Sequence, residues 1–358
     1  WVTKYLFTFL TGGGMASADG GAFFDNFIAF DTGSIASTIF NFNGPTPWFL
    51  IYALLTAVVV IFGVEKGIER ASRFMMPVLA VLAVLIAIYS LTIDGAMAGL
   101  KYYLLPDFSK FSMSTVLGAI GQMFYSMSLA MGIMITYGSY MQRENILEHS
   151  VTQIEVFDTL FAFVAGLMII PPVVAFNGGD PSQINNGPGL MFITLPMVFE
   201  SMPFGEIVGA VFFLLVLFAA LTSSISLMET IVSVLMDKAG LQRKPATLIV
   251  TVIVLAVGML SCLGYGPLGS IEIIGMQFLD FFDFLSNSIL MPIVAFLTCI
   301  LIGHVVGTKV IADEVKQGGA AFHREKLHRV MIRWVAPVLL VAILVSELMT
   351  KVFGLFTI

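Results

Sequence analysis

Eight stretches of roughly twenty apolar residues follow one another along this chain, near residues 45–64, 72–93, 115–140, 150–176, 204–236, 245–264, 276–306 and 331–355. Wound as a helix, a run of that length spans the hydrocarbon of a bilayer, where only helices and closed barrels satisfy their own backbone. The runs are continuous, so the expected fold is all-α: a polytopic helical membrane protein. Composition agrees, because 58% hydrophobic against 11% charged residues leaves too little polar surface to cover a water-soluble globule. Its surroundings are then the lipid bilayer, and no nucleic-acid partner is expected. A further apolar stretch, WVTKYLFTFLTG, opens the sequence without a Met or a basic leader, and is read as a helix entered part-way, with earlier helices preceding it.

Charge distribution orients these spans. The loops after the 45–64, 115–140, 204–236 and 276–306 spans hold 13 of the 17 Lys and Arg residues, among them Lys66, Arg70, Arg73, Arg143, Lys238, Arg243, Lys244, Lys309, Arg324 and Arg333. The alternate loops hold only Lys101 and Lys110. That asymmetry assigns the first set to the cytoplasm of a cell membrane, the inner membrane if the cell is bacterial. The outer loops are long and rich in Gly and Pro, and residues 177–204 are read as an extracellular lid. Cys262 and Cys299 both lie in apolar runs and offer neither a disulfide framework nor a zinc spacing.

Three features at membrane depth carry chemistry. The stretch FYSMSLAMG, residues 124–132, places Ser126 and Ser128 between Gly121 and Gly132 in the middle of a span. Such serines can bond back to their own helix, and small residues can serve close packing; a helix broken at the midplane is the alternative, exposing carbonyls to a cation and N–H groups to a carboxylate. A second stretch, FFLLVLFAALTSSISLMETI, sets Thr222, Ser223, Ser224 and Ser226 half-way through its span, more hydroxyls than packing asks for. The third is Asp158. A carboxylate in a span costs about 2.5–3.5 kcal/mol on insertion scales, unless it lies shallow near the headgroups, and calls for a partner. No Lys or Arg within the spans offers one, whereas a hard cation held by hydroxyl, carboxylate and carbonyl oxygens would.

The motifs GQMFYSMSLAMG followed by TYGSY, then NNGPGLMFITLP and FAALTSSISLME, with GVEKGIERASRFMMP upstream, resemble the neurotransmitter:sodium symporter family in its eleven-helix bacterial amino-acid-transporting branch. The resemblance runs along essentially all of residues 1–358, from the end of the family's third helix through its eleventh. It implies one transporter domain with two inverted five-helix repeats, the second over 115–306, and sodium-coupled import of neutral hydrophobic or aromatic L-amino acids by alternating access. It further implies two sodium sites, one at Ser126 and Asp158, the other at the Ala219 carbonyl, Thr222 and Ser223. By the same resemblance Phe124, Tyr125, Ser126, Ser128, Ala130 and Met131 surround the substrate, Asp283 with Asp280 belongs to an outer gate, and Tyr140 and Asp237 to an inner one.

Departures from the family pattern carry expectations of their own. Many relatives have Asn at the position of Asp158 and Gly at that of Ala130. Ala162, one turn from Asp158, stands where chloride-dependent relatives carry a Ser, so no chloride requirement is expected and Asp158 is expected to supply the negative charge itself. A proton-coupled carrier of amino acids or other small solutes on a related broken-helix fold is the alternative. An intramembrane enzyme is remote: His149, His323 and His328 fall in cytoplasmic loops and His304 at a span's end, so none could activate Ser223 at the midplane. A channel would need a filter or a subunit ring, and neither is evident.

Overall fold

A computed structural model of the chain describes residues 1–12, 20–28, 41, 43–142, 144–185, 187–317 and 321–352. Arg143, most of the loop before residue 45 and the end of the 331–355 span lie outside the described residues. Among the described residues the regular structure is all helical, apart from one isolated bridge between Ile273 and Met276.

Helices α1 (Val2–Leu10) and α2 (Gly20–Ile28) precede α3 (Pro45–Ile61), which starts on a proline where the missing N–H costs nothing. Gly63, at φ +85°, turns the chain into α4 (Val64–Leu91), whose first six residues form a π turn. There follow α5 (Ala96–Leu104), α6 (Met113–Ser126), α7 (Ile133–Tyr140), α8 (Leu147–Phe176), α9 (Gly187–Glu200), α10 (Gly205–Ala239) and α11 (Arg243–Leu263). The chain ends in α12 (Phe278–Val306), the short α13 (Thr308–Val315) and α14 (Glu325–Lys351). Six of these, α4, α8, α10, α11, α12 and α14, are long and apolar enough to cross a bilayer unaided, with α3 somewhat shorter. The 115–140 run is two helices, α6 and α7, and the stretch read as a lid loop contains α9, because FITLPMVF supplies an apolar face that buries Phe192, Leu195, Val198 and Phe199.

The chain packs as two compact units. The first comprises Trp1–Pro106, Phe161–Glu272 and Gln277–Leu279. Its core is aromatic: Tyr5 and Phe9 of α1 meet Phe213 of α10, and the Tyr5 hydroxyl donates to the Phe192 carbonyl at 2.6 Å. In the same unit, Glu229 of α10 is fully buried, and Arg243 at the start of α11 grips both of its oxygens, at 2.6 and 2.9 Å. Arg243 also donates to the Val60 carbonyl of α3 at 3.3 Å, tying three helices together. The second unit comprises Asp107–Leu160, Ile273–Met276 and Asp280–Ile358. There α12 packs on α14 through Ala295, Cys299 and Leu340, and Phe124 and Ala130 lean on that small core.

Candidate functional site

Helix α6 stops at membrane depth through a backbone device rather than a proline. The Leu129 N–H donates to the Phe124 carbonyl and the Ser128 N–H to the Tyr125 carbonyl, both at 3.0 Å. This pair of bonds, with Ser128 at φ +54°, is the helix-ending motif that usually employs glycine. Ala130 at φ +61° and Gly132 at φ +80° continue the left-handed excursion until α7 begins. Left-handed backbone costs a residue with a Cβ about 1–2 kcal/mol, so Ser128 and Ala130 hold strain here. Among the described residues, the carbonyls of Met127 to Met131 accept no backbone hydrogen bond, which leaves oxygens available to a cation.

The acid expected to need a partner finds one beside the break. Ser126 Oγ, the last helical side chain of α6, donates to Asp158 Oδ1 of α8. The two residues expected to share a sodium ion therefore converge, though they lie 32 residues apart in sequence.

A cavity of about 370 Å³ opens in the same unit, walled by Phe124 and Tyr125 of α6, Asp283, Asn287 and Ser288 of α12, and Glu347 of α14. Tyr125 is 52% exposed. Asn287 Nδ2 donates to Asp283 Oδ1 at 2.6 Å, and Ser288 Oγ to Glu347 Oε2 at 2.9 Å. Sequence reasoning missed Asn287, Ser288 and Glu347; the signal for Glu347 was present, a carboxylate within the last apolar run. Asp280 lies one turn from Asp283 on α12. Tyr140, at the end of α7, stacks loosely on Tyr137, and Asp237 is exposed near the end of α10.

The hydroxyl stretch on α10, in the other unit, divides into two kinds. Thr222 Oγ1 bonds back to its own helix, donating to the Ala219 carbonyl at 2.9 Å and the Phe218 carbonyl at 3.1 Å, while Ser223 next to it is exposed. Ser224 instead meets Tyr52 and Thr56 of α3 at 3.0 Å each, and Ser226 bonds back to the Thr222 carbonyl. For Ser224 and Ser226 the packing reading holds. The Ala162 carbonyl takes a long contact of 3.5 Å from the Tyr103 hydroxyl. Among the described residues no three His, Cys, Asp or Glu side chains gather as metal ligands.

Comparison with known proteins bears on all of this. A family model described as the sodium:neurotransmitter symporter family matches residues 23–354. An uncharacterized sodium-dependent transporter of Bacillus subtilis, YhdH, is 32% identical over 97% of this chain and 74% of its own length. Another from Haemophilus influenzae is 32% identical over 88% of this chain and 70% of its own. Among solved structures, that of MhsT in complex with L-phenylalanine superposes with a TM-score of 0.83 at 35% identity, covering 97% of this chain and 76% of MhsT.

Proposed function

The chain belongs to the sodium:neurotransmitter symporter family, and on that premise we propose that it imports a neutral, hydrophobic or aromatic L-amino acid together with sodium. It is a multi-pass, sodium-dependent transporter and not an enzyme. The observation that carries the finer reading is the broken helix: carbonyls at 127–131 that accept no backbone hydrogen bond among the described residues, flanked by the Ser126–Asp158 pair and by the apolar walls Phe124 and Tyr125. A substrate carboxylate and a sodium ion would meet at this break, with Ser128, Ala130 and Met131 beside the side chain. Met adapts to differing apolar shapes. That MhsT holds L-phenylalanine supports the same substrate class.

A second sodium would sit at the Ala219 carbonyl, Thr222 and Ser223. Asp283 and Asp280 would close the outer side, residues 177–204 cover it, and Tyr140 and Asp237 guard the inner side. The second structural repeat would run over 115–306. Each sodium moving inward gains about 2.3 kcal/mol per 100 mV and about 1.4 kcal/mol per tenfold gradient. Two ions therefore supply roughly 7 kcal/mol, enough for about a 10⁵-fold accumulation of a neutral solute.

The test is binding of each of the twenty amino acids to purified protein, with sodium and with potassium in its place. Phe, Leu and Trp should bind only with sodium. Equal competition by Lys, Arg or Glu would refute the assignment of an apolar pocket, and sodium-independent binding with proton-driven uptake would favour the proton-coupled alternative.

A further inference from the structure

We propose that His323 and Glu148 form a clasp on the cytoplasmic side that tightens as the cytoplasm acidifies and slows opening of the inner face. Its regulatory half rests on the transport reading above; the clasp itself does not. Glu148 lies in the first turn of α8 with its side chain 14% exposed. Its Oε2 accepts the backbone N–H of His323 at 3.1 Å and stands 3.2 Å from His323 Nδ1, while Oε1 accepts the backbone N–H of Arg324 at 3.1 Å. Two turns along the same face of α8, Glu155 Oε2 takes the Arg324 guanidinium at 2.7 Å. A two-residue segment just ahead of α14 is thus held at four points by one helix.

Three of the four points are insensitive to pH near neutrality; the imidazole is not. Among the described residues the neighbouring charged groups are engaged elsewhere. Arg324 is taken by Glu155, and Glu325 is paired with Lys316 at 2.6 Å and Arg329 at 2.9 Å. His149 follows Glu148 on α8, and His328 packs on Phe322. Glu148 is the carboxylate that His323 meets. The His323 side chain is 81% exposed, so protons reach it from bulk solvent. Imidazole is the side chain whose charge changes between about pH 5 and 8, and a protonated ring donates a charge-assisted hydrogen bond to the carboxylate. Ten residues further along α8, about 15 Å on, stands Asp158. Fixing the cytoplasmic end of α8 therefore restrains the helix that carries the site.

The clasp is tested on the full chain in lipid nanodiscs by nitrogen-15 NMR of its four histidines, His323 being identified by the signal that H323Q removes. At pH 6 the ring signals of His323 should move in E148Q and stay in place in E325Q. Unmoved signals in E148Q overturn the clasp. For regulation, counterflow of labelled phenylalanine is measured in proteoliposomes with interior pH 6 and 8. The parent should equal H323Q at pH 8 and be about threefold slower than it at pH 6, the scale of an exposed ion pair. Identical pH responses in parent and H323Q overturn the regulatory role. Should phenylalanine not be carried at all, the substrate reading fails, and the NMR comparison still decides the clasp.

Discussion

Arg243 is the side chain whose loss this fold should feel most. Glu229 is fully buried, and its charge is answered by the two hydrogen bonds from Arg243 at 2.6 and 2.9 Å. Replacing Arg243 by Met keeps much of the side-chain volume but takes the bidentate guanidinium away from a buried carboxylate. Breaking a buried pair from one side costs about 3–5 kcal/mol, and the lost donor to the Val60 carbonyl adds about 1 kcal/mol. The reverse change should cost less: the Arg243 side chain is 22% exposed, so in E229L its head can reach water while the stem stays packed, at about 1–2 kcal/mol. The double variant R243M/E229L should recover most of the loss, because a buried pair replaced by apolar groups of similar volume is close to neutral. Unfolding in a mixed-micelle titration, followed by circular dichroism, reads all three. If R243M loses less than about 1 kcal/mol, or the double variant is as unstable as R243M, the pair does not hold these helices in the way argued.

Three further outcomes follow from the sites. Alanine at both Thr222 and Ser223 should raise the sodium concentration for half-maximal binding at least tenfold, about 1.4 kcal/mol, with thermal stability little changed; unaltered sodium dependence would return these hydroxyls to packing. Ala130→Gly should relieve the left-handed backbone by about 1 kcal/mol and, by removing a methyl, shift the preference from Leu towards Trp in competition binding. Asp158→Asn should raise the sodium concentration for half-maximal binding about tenfold, about 1.4 kcal/mol, since it removes the carboxylate that meets Ser126; uptake by the parent that stops when gluconate replaces chloride would refute Asp158 as the compensating charge.

Much of this was legible in the order of residues, and what was not has physical causes. The break in 115–140 was signalled by serines and glycines in an apolar run, but its hinge is at Ser128 and Ala130, residues whose intrinsic preference opposes the conformation they adopt. Asp158 could be named as needing a partner; that Ser126 answers it depends on two helices meeting, which periodicity does not encode. Four consecutive-looking hydroxyls carried one signal, yet their 100° spacing around α10 turns Ser224 towards α3 and leaves Thr222 against the Ala219 carbonyl. Glu229 escaped notice because its partner lies in the next helix and makes it electrically silent. Helix α9 was hidden by the glycines and prolines that open it.

The hydrogen bond from Thr222 to the Ala219 carbonyl has a bearing on speed as well as affinity. A sodium ion held at the proposed second site would compete with a bond the protein already makes with itself, worth about 1 kcal/mol, and its hold would be weaker by roughly fivefold. The same bond would re-form when the ion departed, leaving no oxygen without a proton to face. Such a socket would heal on emptying, making the landscape for sodium shallower on both sides and favouring quick release over tight capture.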